Sequence, residues 1–266
     1  IAEEMNLPAS LASQFNCRGY YGTLSHNVKA QYDLYFGWFD GNPAHLNPLP
    51  PSELGAKYVE AIGGADKALE VAKASYTKGE YRWVATLLDN LVFAEPENKE
   101  ARQLLADTYS QLGYQAESGP WRNFYLTGAQ DLFKKNVPYT SKLINDGVLS
   151  QMDMGTLLDY CAIQLNGEKA GGKEAVININ FTDTKEKVML MLNNGVLNHR
   201  LGSQDKKADL TMEIAKMDFV KLFFGRTDLQ TLHKTNKVKT TGDTKAIDII
   251  RSACEPADPN FNIVLP

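Results

Sequence analysis

Cysteine and histidine are both scarce in this sequence. The three cysteines, Cys17, Cys161 and Cys254, lie far apart. Their odd number and irregular spacing suit neither a disulfide framework nor a zinc ribbon, so all three are expected to be free thiols. The four histidines are His26, His45, His199 and His233. No two of them stand at His-x-His or His-Glu-x-x-His spacing, so no complete metal motif is offered. Positive charge is not in excess either: 28 Lys and Arg face 32 Asp and Glu, for a net charge of −4. A nucleic-acid partner, which calls for a basic face, is not expected on that balance. No run approaches the roughly 18 apolar residues of a membrane span. A Gly-x-Ser-x-Gly elbow and a Gly-x-x-x-x-Gly-Lys-[Ser/Thr] phosphate cradle are both missing. Gly171-Gly172, between Lys169 and Lys173, is expected to be a loop, and Glu117 and Asp131 to be solvated acids. Ile1 to Asn6 is not a signal peptide. The natural N-terminus is expected upstream, so the compartment is not legible here.

What is present is a globular composition, 43% hydrophobic and 23% charged over 266 residues, enough for two domains. The stretch from Gly64 to Phe133 shows an internal period. Gly79 and Gly113, Ala72 and Ala106, and Val71 and Leu105 are each 34 residues apart, the spacing of a tetratricopeptide-type helix pair. Tyr81, Val84, Ala85, Leu88, Leu91 and Val92 fall at helical intervals, as do Ala101, Leu104, Leu105, Thr108 and Leu112. Asn98 is placed to cap the second of these runs. Two such repeats are too few to stand alone, so this block is expected to pair with its flanks or with a second copy.

Ahead of the block, residues 1–51 hold a short helix near Leu11, an aromatic loop from Cys17 to Thr23, a helical run from Ser25 to Phe36, and Asp-Gly and Asn-Pro turns. Pro48, Pro50 and Pro51 form a stiff connector. A helix from Gly119 to about Phe133 closes the block, and 134–139 is the expected domain boundary. Beyond it, Asp153 caps a helix through Leu157 and Cys161. Strands are expected at 176–181, 187–192, 196–201, 210–214 and 238–241, with Asn193-Asn194-Gly195 as a hairpin turn. Helices follow at Phe219–Phe224 and after Thr244 as cap. These elements describe a small antiparallel sheet with helices packed on it, an α+β layer. His199, between Leu197 and Leu201, is expected to face solvent.

Four strings carry a likeness to a known family. They are Arg18-Gly19-Tyr20-Tyr21-Gly22-Thr23-Leu24-Ser25-His26-Asn27, Gly37-Trp38-Phe39-Asp40-Gly41-Asn42-Pro43-Ala44, Gly79-Glu80-Tyr81-Arg82-Trp83-Val84-Ala85, and the run from Gly113 through Trp121-Arg122-Asn123 to Ala129. The chain resembles the zinc-dependent alkyl sulfatases over essentially its whole length. That resemblance implies enzymes that hydrolyse alkyl sulfate esters such as dodecyl sulfate at a two-zinc site in a metallo-β-lactamase-like domain. A helical dimerisation domain and a domain similar to sterol carrier protein 2 would follow. By this resemblance, 1–51 is the tail of the catalytic domain and linker. Residues 52–135 are the dimerisation domain, and 140–266 the sterol-carrier-like domain. The His-x-His-x-Asp-His motif and two glutamate ligands would lie upstream of Ile1. Only one ligand, the histidine of Ser-His-Asn, maps here, at His26. One imidazole cannot hold zinc, since a catalytic site needs about three protein ligands. The resemblance also implies a homodimer and a periplasmic or secreted location.

Three functional readings follow. The chain is the dimerisation and substrate-guiding part of an alkyl sulfatase, inactive and zinc-free by itself. Alternatively it is a non-enzymatic lipid or surfactant carrier, or a helical-repeat interaction module. In the C-terminal part, Phe219, Val220, Leu222, Phe223 and Phe224 exceed what one helix face needs. Either the helix is buried on two sides, or Phe219, Phe223 and Phe224 line a groove for an alkyl tail, with nearby methionines adapting to it.

Overall fold

Gly55 shows how the helical unit is assembled. A Cβ there would stand 2.4 Å from the carbonyl oxygen of Asn90, so only glycine lets these two backbones approach. The structure, a computed structural model, describes residues 1–133, 145–256, 258 and 261–266. The boundary expected at 134–139 lies outside the described residues. Two units are present, residues 1–137 with 260–266, and residues 138–259.

In the first unit, α1 (Ala9–Ala12), α2 (Leu24–Phe36) and α3 (Pro43–Leu46) precede five further helices: α4 (Pro51–Ile62), α5 (Ala65–Thr77), α6 (Tyr81–Ala94), α7 (Lys99–Gln115) and α8 (Gly119–Asp131). The expected cap at Asn98 is formed: its side-chain oxygen accepts the Ala101 N–H at 3.0 Å. Gly63, at φ 106°, ends α4 in the left-handed conformation, which glycine adopts without a Cβ penalty. α4 packs on α6, α6 on α7 and α7 on α8. Leu88, Leu91, Val92 and Leu105 form a dry core, joined by Val264 and Leu265 from the chain's end. Arg102 reinforces it, donating from Nε to the Leu132 carbonyl at 2.7 Å.

The 34-residue period holds for the first helix of each pair, since α5 and α7 begin at Ala65 and Lys99. It does not hold for the glycines. Gly79 sits in a turn at φ 78°, whereas Gly113 lies inside α7, where a Cβ would meet Leu126 at 2.9 Å. One glycine serves a backbone angle and the other a close helix contact.

The second unit contains α9 (Asp146–Gln151), α10 (Met154–Ala162), α11 (Gly167–Ala170), β1 (Ala175–Phe181), β2 (Lys187–Asn193), β3 (Val196–Leu201), β4 (Leu210–Ile214), α12 (Lys216–Phe223), α13 (Leu229–Lys234), β5 (Val238–Gly242) and α14 (Lys245–Ser252). The chain is thus α+β, an all-α unit followed by a mixed one. The strand order is β3-β2-β1-β4-β5. The sheet is not purely antiparallel as expected, because β4 pairs with β1 in parallel. After β3 the chain crosses the sheet and enters beside β1 on its far side. Asn178 holds that crossing: its amide donates to the Asp205 carbonyl at 2.7 Å and accepts from the Asp205 N–H at 2.9 Å. An asparagine that alternation would send to solvent is therefore buried and satisfied, as a buried amide must be.

Two local expectations are corrected. His199 does not face solvent. It has the same parity as the buried Leu197, shares that inner face, and lies 3.6 Å from the Asp159 carboxylate on α10. Thr244 makes no side-chain cap for α14; the Lys245 N–H goes instead to the Asp243 carboxylate at 2.9 Å. The Asp153 cap is formed, with the Thr156 N–H donating to it at 2.9 Å.

Candidate functional site

His26 sits in the first turn of α2, and two interactions place it. The Thr23 hydroxyl accepts the His26 N–H at 3.1 Å and caps the helix. The Trp121 indole N–H donates to His26 Nδ1 at 2.5 Å, with the rings edge-on at 67°. Trp121 is itself fixed by the start of α8, where Ser118 is the cap. The aromatic loop is tied to the same helix end: the Gly119 N–H donates to the Tyr20 carbonyl at 2.8 Å, and the Ser118 hydroxyl donates to the Tyr21 carbonyl. Arg18 pairs with Glu117 and lies over the Tyr20 ring at 5.4 Å.

Of these groups, Arg18, Thr23, Glu117, Ser118 and Trp121 line an open cavity of about 870 Å³. Arg18, Lys29 and Arg82 contribute cations to its wall, alongside Ser25, Asn27 and Trp121. Glu3 balances two of the cations, with Arg82 at 3.1 Å and Lys29 at 3.7 Å. Hydrogen bonding from Arg82, then its charge, holds the Glu3 carboxyl below the usual range. The recess is therefore mixed in character, with these charges set beside Met5, Leu7 and Leu24, and His26 is bonded to Trp121 of its wall.

The hydrogen bond from Trp121 decides what that histidine can do. Nδ1 is an acceptor, so a neutral ring carries its proton on Nε2. Such an Nε2 donates a hydrogen bond and cannot ligate a metal. Zinc binding through Nε2 would need the proton on Nδ1, and with it the loss of the Trp121 bond. Among the described residues, no three His, Cys, Asp or Glu side chains come together as a possible metal site. The residues present here do not by themselves fit a zinc ion.

The three phenylalanines of the C-terminal unit are elsewhere. Phe219 and Phe223 are buried in the core. Phe219 meets Phe181 edge-on at 5.6 Å and Phe223 at 5.9 Å, while the half-buried Phe224 lies against Tyr160 at 5.5 Å. The helix thus reads as packed, with Phe224 as its surface end. His45 pairs with Asp40 at 2.7 Å, and His233 meets the Thr240 hydroxyl at 3.0 Å. All three cysteines are free. Burial pushes the Cys254 thiol up to about 11 and Cys161 further still, so neither is a ready nucleophile. The Trp121–His26 pairing was not foreseen in sequence, although both residues stand in the strings that carry the family likeness.

Comparison with known proteins places the whole chain. Residues 1–135 match the family model described as alkyl sulfatase dimerisation, and residues 142–266 the one described as alkyl sulfatase C-terminal. The chain belongs to the alkyl sulfatase family. It is 44% identical to a linear primary-alkylsulfatase of Pseudomonas sp. and 43% identical to an (R)-specific secondary-alkylsulfatase of Pseudomonas sp.; each match covers all of this chain and 40% of the relative. An alkyl/aryl-sulfatase of Saccharomyces cerevisiae is 40% identical over all of this chain and 41% of its own length. The solved structure of a stereoselective inverting sec-alkylsulfatase from Pseudomonas sp. superposes with a TM-score of 0.93 at 42% identity, covering all of this chain and 42% of that one. The chain spans about 40% of the length of the curated relatives it matches. The first family model begins at residue 1, so it takes in the 1–51 segment along with the longer helices.

Proposed function

We propose that this chain is the dimerisation and C-terminal part of an enzyme that hydrolyses alkyl sulfate esters to an alcohol and sulfate. The observation that carries this reading is the match of both halves to alkyl sulfatase domains, supported by end-to-end similarity to alkylsulfatases that are more than twice as long. In this reading a two-zinc, metallo-β-lactamase-like domain precedes residue 1 and supplies the metal ligands. The 1–51 segment is the end of that domain, and the helical unit joins two copies. The enzyme works in the periplasm or outside the cell.

Within that enzyme, His26 is the group this chain contributes beside the reacting ester, acting as a donor through Nε2–H rather than as a zinc ligand. Its support is the indole N–H on Nδ1. An Nε2–H suits a sulfate oxygen or the leaving alkoxide, both of which need a donor as charge develops. In this reading the C-terminal unit holds the alkyl chain. Phe224 and Tyr160 supply its surface, and Phe219 and Phe223 lie beneath.

The test is sulfate release from sodium dodecyl sulfate. It is measured for the 266-residue chain alone and for the same chain expressed with the coding sequence preceding residue 1. Release by the longer protein and none by the chain alone is the expected result. If the longer protein releases no sulfate from alkyl esters of any chain length, the reading fails. In the active protein, Phe224→Ala should raise KM for dodecyl sulfate with little change in kcat. An unchanged KM would leave the alkyl chain somewhere other than this unit.

A further inference from the structure

The end of the chain does not belong to the unit it follows. Residues 138–259 form the C-terminal unit, whereas 260–266 group with the helical unit. The chain therefore leaves the helical unit after α8, builds the sheet and its helices, and returns. In chain order, the C-terminal unit is an insertion between α8 and a short returning segment.

That segment has two faces. Val264 and Leu265 are half-buried and pack on the core of the helical unit, while Phe261 and Ile263 stand 70% and 71% exposed. The Asn262 side-chain amide donates to the Pro266 carbonyl at 2.9 Å, so the segment is folded back on itself around its two inward residues. Part of its seat is made by a missing side chain. Gly128 is buried inside α8, at a helical position where glycine is a poor choice on propensity alone. A Cβ there would meet the Tyr109 ring of α7 at 3.4 Å and Val264 at 3.5 Å. A methyl would fit, but a longer side chain would take the space that Val264 occupies. Ala129 and Leu132, at the same end of α8, are buried in the core that Val264 and Leu265 join.

We propose that residues 261–266 are a strap that fastens the far end of the C-terminal unit to α7 and α8, and that the strap opens and closes locally without unfolding either unit. Two half-buried side chains make a small contact, so its stability lies at the low end of the range within the molecule. It closes nonetheless, because seat and segment are on one chain and a tethered segment needs little intrinsic affinity. Closed, the strap fixes both ends of the C-terminal unit in one scaffold. Open, it leaves that unit held by its first end alone. In the enzyme proposed above, it thereby sets how freely the unit that holds the alkyl chain moves, but the strap itself does not depend on that assignment.

Trimming of the 266-residue chain by carboxypeptidase Y, followed by mass spectrometry, tests the strap, with hydrogen exchange measured beside it. Val264→Asp should speed removal of residues 264–266 by roughly 10-fold or more, since a carboxylate does not suit the apolar seat and cleavage reads the open population. Exchange in α8 and around Tyr109 of α7 should quicken with it, while β1 to β5 stay as protected as in the parent. Ile263→Asp, on the outward face, should change neither trimming nor exchange. Equal trimming of the parent and Val264→Asp overturns the inference, because the segment would then not be seated. Ile263→Asp trimmed as fast as Val264→Asp also overturns it, since the effect would be one of charge at the cleavage site. Faster exchange confined to the sheet would assign the segment to the C-terminal unit and sink the strap. Loss of the helical circular dichroism in Val264→Asp would do the same, because the segment would be part of the core rather than a strap over it.

Discussion

Trp121 donates its indole N–H to Nδ1 of His26, which joins the first turn of α8 to the first turn of α2 across 95 residues of sequence. The bond sets the tautomer of His26, and it depends on a helix end that Ser118 caps.

Trp121→Phe removes that donor while keeping a ring in place. The His26 side chain should then populate both tautomers. The 15N shifts of its ring nitrogens in a labelled chain should move toward each other from a pattern in which Nδ1 is the bare nitrogen. A neutral hydrogen bond of this kind contributes about 0.5–1.5 kcal/mol, so the fold should survive. Unchanged nitrogen shifts would show that the indole does not set the tautomer.

Gly55→Ala should destabilise the helical unit. A methyl at this position would collide with the Asn90 carbonyl at 2.4 Å and crowd the Ala94 nitrogen at 3.3 Å. Alanine gains up to about 1 kcal/mol in helix propensity, but overpacking costs about 1–3 kcal/mol, and backbone cannot move aside as a side chain can. Urea denaturation followed at the helical signal should show a lower midpoint. A higher midpoint would mean that α4 and α6 are not so closely apposed.

Lys216 is almost fully buried, and its ammonium donates to the carbonyls of Ser150, at 3.0 Å, and Met152. It closes the end of α9, whose last carbonyls have no partner within the helix. Lys216→Met keeps the length of the stem and removes the donor, leaving those carbonyls unpaired at a cost of about 1–3 kcal/mol. Hydrogen exchange should quicken in α9 ahead of the sheet. Equal protection in variant and parent would assign the lysine no capping role.

Asp153 and Asp228 cap α10 and α13. Backbone N–H donation from Thr156 and Thr231, respectively, followed by the threonine hydroxyls, holds both carboxyls below their ordinary 3.8. A group whose pKa is lower folded than unfolded stabilises above the unfolded value and loses that contribution as pH falls through the folded one. The C-terminal unit should therefore weaken as pH drops from about 4 downward. Asp153→Asn keeps a capping oxygen that does not titrate, so its thermal midpoint should fall less steeply between pH 5 and pH 2. A slope identical to the parent's would remove Asp153 from the acid response.

The helix caps at Asn98 and Asp153 and all five strands were legible in the sequence, because each rests on periodicity or on a side chain meeting its own neighbouring backbone. The family likeness was legible for a related reason, since its strings are runs of adjacent residues. Pairing across the fold was not. Period-two alternation places Asn178 outward, and only the crossing segment at Asp205 shows why it lies inward. Periodicity cannot say that β4 enters parallel to β1, because strand direction depends on the path of the connection. Gly79 and Gly113 are the same letter 34 residues apart, yet one serves a backbone angle and the other a helix contact. His26 could be picked out from its string, but its tautomer was decided by Trp121. The local elements were determined by interactions a few residues long. The direction of a strand, the inward face of an amide and the bare nitrogen of an imidazole were decided by tertiary structure, because each depends on a partner that only folding brings within hydrogen-bond range.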